Sequence, residues 1–118
     1  MATLKLNLSR HKAAQDLIRL IEKEKGLSTS AAIDYAVNSR AYNRIINTGL
    51  GPIALPIWGH GEFKKREWFT LDNPSIKIEL SEEKLQMIRK VAEVEKSSIE
   101  TAVSYFLLFT METLGYHI

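Results

Sequence analysis

Leu4-Lys5-Leu6-Asn7-Leu8-Ser9 decides the fold, because its pattern returns later in the chain as Ile76-Lys77-Ile78-Glu79-Leu80-Ser81. In both stretches an aliphatic residue alternates with a polar one, which is typical of a β-strand with one apolar and one polar face. Each stretch leads directly into a charged segment with helical periodicity, so neither has a second strand beside it. An unpaired strand leaves a row of backbone donors and acceptors open. We therefore expect the two stretches to pair with each other.

Two helices are predicted after the first strand. Apolar residues at helical spacing indicate a first helix that Ser9 caps and Gly26 ends, since glycine adopts the left-handed conformation that terminates helices. A second helix is predicted from about Thr29 to Ile46. The first copy of the repeat is thus a strand, a helix, a short turn and another helix.

The second copy repeats this order. Ser81 is expected to cap a helix, Lys96-Ser97-Ser98 to make the turn, and the last helix to run from Ile99 to about Leu114. The strands match when Leu4 is set against Ile76, but the last helix matches best when Ser28 is set against Ser98. We therefore expect the first helix of the second copy, or the turn after it, to be two residues shorter.

The chain divides into a first unit (residues 1–47), a linker (48–74) and a second unit (75–118), which together form one folded domain. With 118 residues, of which 45% are hydrophobic, the chain can bury one modest core. Glycine and proline punctuate the linker too densely for a long helix. Its end, Trp68-Phe69-Thr70-Leu71, is predicted to be a short extended piece.

Composition narrows the class of protein. The net charge is +2, but the first unit carries +4, the linker 0 and the second unit −2, so a polyanion would be attracted more strongly to the first unit. The absence of cysteine excludes a disulfide framework and a thiolate metal site. The longest apolar stretch, residues 102–111, is about half of what a membrane-spanning helix needs. We expect a soluble, cytoplasmic protein.

The sequence offers no catalytic or metal-binding motif. His11, His60 and His117 are scattered, without the spacing of a metal site. Phosphate loops, nucleophile motifs and a convincing acid–base pair are missing. We expect neither a cofactor nor an enzyme.

The order of strand, helix, turn and helix, with Gly26-Leu27-Ser28-Thr29-Ser30 at the turn, resembles the ribbon-helix-helix family of DNA-binding proteins, to which the Arc and methionine repressors belong. The resemblance covers the whole chain except the linker. The turn of the second copy, Lys96-Ser97-Ser98, departs from the pattern because it lacks the glycine. The resemblance implies a mainly α fold with a short β-ribbon, in which two units pair their strands antiparallel and interlock four helices. Here both units lie in one chain, as an intramolecular pseudo-dimer.

In such a ribbon the period of two turns one set of side chains outward when the leucines and isoleucines point inward. A two-stranded ribbon fits the DNA major groove, where lysine can donate to guanine, asparagine can pair with adenine and glutamate can accept from cytosine. Asn7 and Glu79 differ between the copies, so the predicted DNA site is asymmetric. The predicted base-contacting residues are Thr3, Lys5, Asn7, Ser75, Lys77 and Glu79.

A second set of contacts is predicted at the start of the second helix of each unit, where free N–H groups and the helix dipole favour phosphate. Helix capping is the structural alternative, and both roles are compatible. The predicted phosphate-contacting residues are Ser28, Thr29, Ser30, Ser97 and Ser98. Lys64-Lys65-Arg66, between Phe63 and Trp68, is either a solvated loop or a further phosphate contact.

The function predicted from this pattern is sequence-specific binding of double-stranded DNA, as a transcriptional repressor or an accessory factor in plasmid or mobile-element DNA processing. The last helix, with Tyr105, Phe106, Leu107, Leu108, Phe109 and Met111, is apolar nearly all round. It packs in the core or contacts a second protein or a second copy of the chain. The alternative function is accordingly a protein-interaction module, antitoxin-like or an assembly factor, and the alternative assembly is a homodimer with two ribbons.

Overall fold

The computed structural model describes residues 2–48 and 69–113 of the chain. Within these ranges five helices accompany one antiparallel sheet of two strands. The elements are β1 (Ala2–Asn7), α1 (Lys12–Lys25), α2 (Thr29–Ala36), α3 (Ser39–Thr48), β2 (Ser75–Leu80), α4 (Glu82–Val94) and α5 (Ile99–Thr113). The expected pairing of the two alternating stretches is confirmed, and it occurs within one chain.

The register of this ribbon, formed by β1 and β2, is symmetric about its centre. Lys5 pairs with Lys77, and these two residues are also equivalent in the sequence repeat. Leu4 pairs with Ile78 on one side of the centre, and Leu6 pairs with Ile76 on the other. Equivalent residues of the two strands therefore lie equally far from the central lysine pair, in opposite directions.

One core fills the space beneath the ribbon. The inward side chains of the strands pack with the apolar faces of α1, α4 and α5 and with the aliphatic residues of α2 and α3. Burial of apolar surface is the dominant stabilising term for such a fold. The largest fully buried side chains are Phe106, Leu8, Leu17, Ile18, Ile21, Ile33, Ile45, Ile78, Leu80 and Ile88.

Helix α5 contacts β1 and helices α1 to α4, which explains its apolar composition. Phe106, Leu107 and Leu108 are buried, whereas Tyr105 and Phe109 are partly exposed and pack against the core. The partial burial of the Tyr105 side chain raises its pKa, and the negative charge of Glu95 raises it further by a smaller amount. Core packing accounts for these residues, and the side chain of Met111 lies outside the described part of the chain.

The predicted start of the first helix is wrong. Helix α1 begins at Lys12, with His11 at the N-cap and no side-chain cap, while the Ser9 N–H donates to Asn7 Oδ1 at 3.1 Å. In the second copy Ser81 does cap α4, since its side chain accepts from the Lys84 N–H at 3.2 Å.

The difference in spacing between the two copies also lies elsewhere than expected. The helix starts, Lys12 and Glu82, already correspond in the register that sets Ser28 against Ser98. The strands before them correspond in the other register, which sets Leu4 against Ile76. The two-residue difference therefore lies before the helix, and not in the helix or the turn that follows it.

The single helix expected from Thr29 to Ile46 is also wrong, because the chain breaks it at Val37 and Asn38 into α2 and α3. The Asn38 amide donates to the carbonyl oxygens of Tyr35 at 3.1 Å and Ala36 at 3.0 Å. Its Oδ1 accepts from the Ala41 N–H at 2.9 Å. Asparagine side chains compete in this way with backbone hydrogen bonds, so Asn38 ends one helix and caps the next.

The two helix-to-helix turns have the same conformation, although only the first contains glycine. Gly26 has φ 65° and Lys96 has φ 51°, both in the left-handed region. The Leu27 N–H donates to Glu22 O at 3.1 Å, and the Ser97 N–H donates to Ala92 O at 2.9 Å. These are the same helix-closing bond at equivalent positions of the two copies.

Helix α1 holds the segment that leads into β2. Buried Gln15 donates through Nε2 to Leu8 O at 2.7 Å and accepts through Oε1 from the Leu71 N–H at 2.9 Å. The fully buried Asp16 accepts from the Phe69 N–H at 2.9 Å. Residues 69–71 are therefore fixed against α1 without joining the sheet, where the sequence predicted an extended piece.

Candidate nucleic-acid interface

The outer face of the ribbon carries all six residues predicted to contact bases. Residues 3, 5 and 7 of β1 and 75, 77 and 79 of β2 are exposed, whereas the alternate positions are buried or half-buried. The predicted orientation of the two strands is therefore confirmed. Their contact with bases stays a prediction.

Lysine faces lysine at the centre of this exposed face. Lys5 pairs directly with Lys77, Thr3 pairs with Glu79, and Asn7 pairs with Ser75. Like charges directly opposite each other on neighbouring strands are destabilising. The centre of the ribbon is thus an electropositive spot that a bound anion would stabilise.

Asn7 combines a structural contact with free capacity for hydrogen bonding. Its Oδ1 accepts from the Ser9 N–H at 3.1 Å, which holds the turn after β1. An amide oxygen accepts two hydrogen bonds and the amide nitrogen donates two. One acceptor position and the donors of the Asn7 side chain thus remain for a base edge.

A groove of about 500 Å³ runs along β2, and we call it the α2 groove. It brings the N-terminus of α2 beside Lys77, the central lysine of β2, with Arg19 of α1 on its wall. Arg19 is held by Glu22 at 2.9 Å and by Thr70 O at 3.3 Å. The residues that line the groove are Arg19, Ser28, Thr29, Ser30, Leu71, Asp72, Asn73, Ile76, Lys77 and Ile78.

The hydroxyl groups at the start of α2 have different partners. Ser28 Oγ accepts from the Ala31 N–H at 3.2 Å, so Ser28 is the N-cap of the helix. Thr29 Oγ1 donates to Glu22 Oε2 at 2.5 Å, which ties α2 to α1. The capping role predicted for this turn is confirmed at Ser28, and the phosphate contacts of the three residues stay predictions.

A second groove, of about 390 Å³, lies over the ribbon on the side of α5, and we call it the α5 groove. Lys5, Asn7, Ser75 and Lys77 line it together with Glu100, from the first turn of α5. Glu100 Oε2 accepts from the Asn7 N–H at 3.0 Å. A carboxylate therefore lies at the edge of the exposed face of the ribbon.

Glu100 was missed by the sequence reasoning, although a signal was present. In the register that sets Ser28 against Ser98, Glu100 is the counterpart of Ser30. The repeat therefore places serine on one side of the ribbon and glutamate on the other. Comparing the copies residue by residue in this register would have found it.

The two serines predicted at the start of α5 are placed differently from each other. Ser98 Oγ accepts from the Thr101 N–H at 3.1 Å, and Ser98 is exposed. The Ser97 N–H donates to Ala92, and its hydroxyl oxygen is buried without a hydrogen-bond partner among the described residues. Of these two serines, Ser98 is therefore the one that is exposed at the surface.

The Lys64-Lys65-Arg66 run, expected as a solvated loop or a phosphate contact, lies outside the described residues with its flanking Phe63 and Trp68. The same is true of His60 and His117. Across residues 2–48 and 69–113, no helix has the length and apolarity to cross a membrane. In the same ranges, no group of three or more His, Asp or Glu residues could hold a metal ion.

Comparisons of this chain with protein-family models, with curated proteins and with solved structures find no match.

Proposed function

We propose that this protein binds double-stranded DNA sequence-specifically, with the outer face of its two-stranded ribbon in the major groove. The observation that carries the proposal is the exposed polar ribbon with Lys5 and Lys77 opposed at its centre. A major groove about 12 Å wide admits a two-stranded β-ribbon, and its base edges present distinguishable donor and acceptor patterns. The phosphates along both rims of the groove would also offset the repulsion between the two lysines.

The proposed architecture is a tandem ribbon-helix-helix pseudo-dimer. Three features support it: the symmetric register of the ribbon, the equivalent turns at Gly26 and Lys96, and the packing of α2 against β2 and of α5 against β1. In this arrangement the second helix of each unit starts beside the ribbon. The start of α2, at Ser28, would then contact the DNA backbone next to the major groove.

The proposed contacts divide into two classes with different consequences. Lys5, Asn7 and Lys77 would read base edges, and each good contact of this kind discriminates between bases by about 1–3 kcal/mol. Ser28 and Ser30 would contact phosphates and so set the orientation without reading sequence. Asn7 and Glu79 occupy equivalent positions with different chemistry, so the preferred site would be non-palindromic.

A protein acting in this way needs no chemistry of its own, because occupancy of the site is sufficient. The proposal is therefore a transcriptional repressor or an accessory factor in plasmid or mobile-element DNA processing. The rival hypothesis, a protein partner bound through the last helix, gains no support from residues 99–110, since α5 packs against the core there.

The test is selection of bound duplexes from a random DNA pool near physiological salt, followed by affinity measurements on the selected and a scrambled duplex. We expect Lys5→Ala and Asn7→Ala to lose affinity mainly for the selected duplex, by about 1–3 kcal/mol each. Ser28→Ala should weaken binding to both duplexes equally, because it removes a backbone contact.

Lys90→Ala is the control for net charge, since Lys90 is exposed on α4 and lines neither groove. It should leave the ratio of the two affinities unchanged. Equal losses on both duplexes from the ribbon variants and from Ser28→Ala would refute reading by the ribbon. A pool without any enriched sequence would refute specific DNA binding.

A further inference from the structure

The two sides of the ribbon differ in the residue that the start of the adjacent helix places beside them. In the α2 groove, the start of α2 presents Ser28, Thr29 and Ser30 together with Lys77. In the α5 groove, the matching turn presents Glu100 close to the same lysine pair. The molecule thus repeats its backbone on both sides, but the helix start is uncharged on one side and carries a carboxylate on the other. The carboxylate that lines the α2 groove, Asp72, belongs to the segment before β2 and is fully exposed.

Glu100 is held in place and is not a freely moving surface side chain. Its carboxylate accepts the Asn7 N–H at 3.0 Å, and its own carbonyl oxygen accepts from the Ser104 hydroxyl at 2.8 Å. Carboxylates near the first turn of a helix are stabilised by the helix dipole. The negative charge is therefore fixed at the edge of the ribbon, close to Lys5.

We propose that Glu100 is a negative determinant of DNA binding, an inference that rests on the proposed function. Glu100 and Ser30 occupy equivalent positions on the two sides of the ribbon. A phosphate can approach the ribbon beside Ser30, whereas on the other side the carboxylate of Glu100 occupies that position. Repulsion between Glu100 and the DNA backbone weakens the contact between the second unit and the phosphates. The protein therefore binds the DNA backbone mainly through the first unit. The penalty applies to every sequence equally, because phosphates carry no sequence information.

A residue of this kind makes the protein more selective among DNA sequences. A weaker backbone contact lowers the affinity for all duplexes, so only a site with good base contacts to Lys5, Asn7 and Lys77 stays occupied at physiological salt. The first unit, with its net charge of +4, remains the anchor. Glu100 thereby sets the threshold of base readout that a DNA site must reach.

The decisive variant is Glu100→Gln, which removes the charge and keeps an oxygen that can accept from the Asn7 N–H. We expect its affinity for selected and scrambled duplexes to rise by roughly tenfold, from the Coulomb energy of a carboxylate near phosphate in a partly screened site. The slope of log affinity against log salt should steepen by about 0.9 if one additional phosphate is engaged. The measurement is fluorescence anisotropy between about 50 and 200 mM salt.

The reciprocal variant is Ser30→Glu, which copies the second unit into the first. It should lower the affinity for both duplexes by roughly tenfold, for the same electrostatic reason. Glu24→Gln is the matched control for Glu100→Gln, because it changes the net charge by the same amount, and Glu24 is exposed and lines neither groove. The control should change affinity less than twofold, and thermal melts establish that each variant is folded.

The outcomes separate this inference from the proposed function. If the wild-type protein binds its selected duplex through Lys5 and Asn7, but Glu100→Gln behaves like Glu24→Gln, only the role of Glu100 is overturned. If neither the wild-type protein nor any variant binds a duplex at the lowest salt, DNA binding itself is overturned, and the inference with it. A tenfold gain on both duplexes, with a steeper salt slope, establishes Glu100 as the negative determinant.

Discussion

The second helix of the first unit is broken and that of the second unit is continuous, although the two start from the same kind of turn. Asn38 interrupts the first, while its counterpart in the matching register of the second helices, Leu108, lies buried within α5. The two units also support each other at this point. Thr110 of α5 donates through its hydroxyl to the Ala36 carbonyl at 3.1 Å, and the Asn38 amide donates to Thr110 Oγ1 at 3.3 Å.

A repeated backbone therefore does not give equivalent residues the same role. Phe106 is fully buried, and its counterpart in the first unit is the equally buried Ala36. At these equivalent positions the second unit therefore contributes a large side chain to the core, and the small alanine of the first unit leaves space for it. Symmetry holds for the ribbon and the turns and is lost in the packing of the last helices.

The largest effect is expected from Phe106→Ala, which makes the second unit resemble the first. Removing a fully buried phenyl group should lower the free energy of unfolding by about 3–5 kcal/mol, since it leaves a cavity that the packed core closes only in part. Urea denaturation followed by circular dichroism measures the loss. Val94→Ala is the control, because Val94 is 48% exposed and its truncation should cost less than about 0.5 kcal/mol. Similar losses for both would show that α5 is not central to the core.

A smaller effect is expected from Asn38→Leu, which gives the first unit the residue of the second. The variant loses the cap on the Ala41 N–H, so the free energy of unfolding should fall by about 1–2 kcal/mol. Denaturant titration is again the measurement. Asn43→Leu, at an exposed position of α3, is the matched control and should change stability by less than about 0.5 kcal/mol. A stability gain in Asn38→Leu would mean that a continuous helix is preferred in both units.

The smallest effect is expected at the turns, where exchange tests whether the second unit is strained. The left-handed conformation costs a residue with a Cβ atom about 1–2 kcal/mol. Lys96→Gly should therefore raise the free energy of unfolding by about 1 kcal/mol, and Gly26→Lys should lower it by a similar amount. Apart from Gly26 itself and its two chain neighbours, no atom of the described residues lies within 4 Å of a Cβ built on Gly26, so the cost there comes from the backbone conformation and not from a clash with another residue.

Lys96→Ala is the control for this exchange, because it removes the side chain but keeps the Cβ atom. It should not reproduce the gain of Lys96→Gly, as differential scanning calorimetry can show. If the alanine and glycine variants are equally stable, the left-handed turn at Lys96 stores no strain.

The ribbon could be predicted from the sequence because its signal is local. Alternation at period two determines which face of each strand is buried. The repeat indicates which stretch is the partner strand. All six ribbon residues therefore lie on the predicted exposed face. Gly26 and Ser81 were predicted correctly for the same reason, since glycine and serine act on their own helix ends.

The remaining features depend on contacts between residues distant in the chain. The buried Gln15 and Asp16 resemble ordinary polar helix positions until the segment at 69–71 packs on them. In the sequence, Asn38 is compatible with a polar surface position of one continuous helix. Only its hydrogen bonds to Ala36 and Ala41 explain why the chain breaks between α2 and α3. The repeat marks Glu100 as the counterpart of Ser30, but its hydrogen bond to Asn7 likewise requires the fold, because Asn7 lies near the opposite end of the sequence.

The attachment of residues 69–71 to α1 has a consequence for how the gene could vary. Because Gln15 and Asp16 fix the chain just before β2, the alignment of the ribbon is set by α1 and not by the length of the preceding segment. Insertions and deletions between positions 49 and 68 are therefore expected to leave the pairing of Lys5 with Lys77 intact.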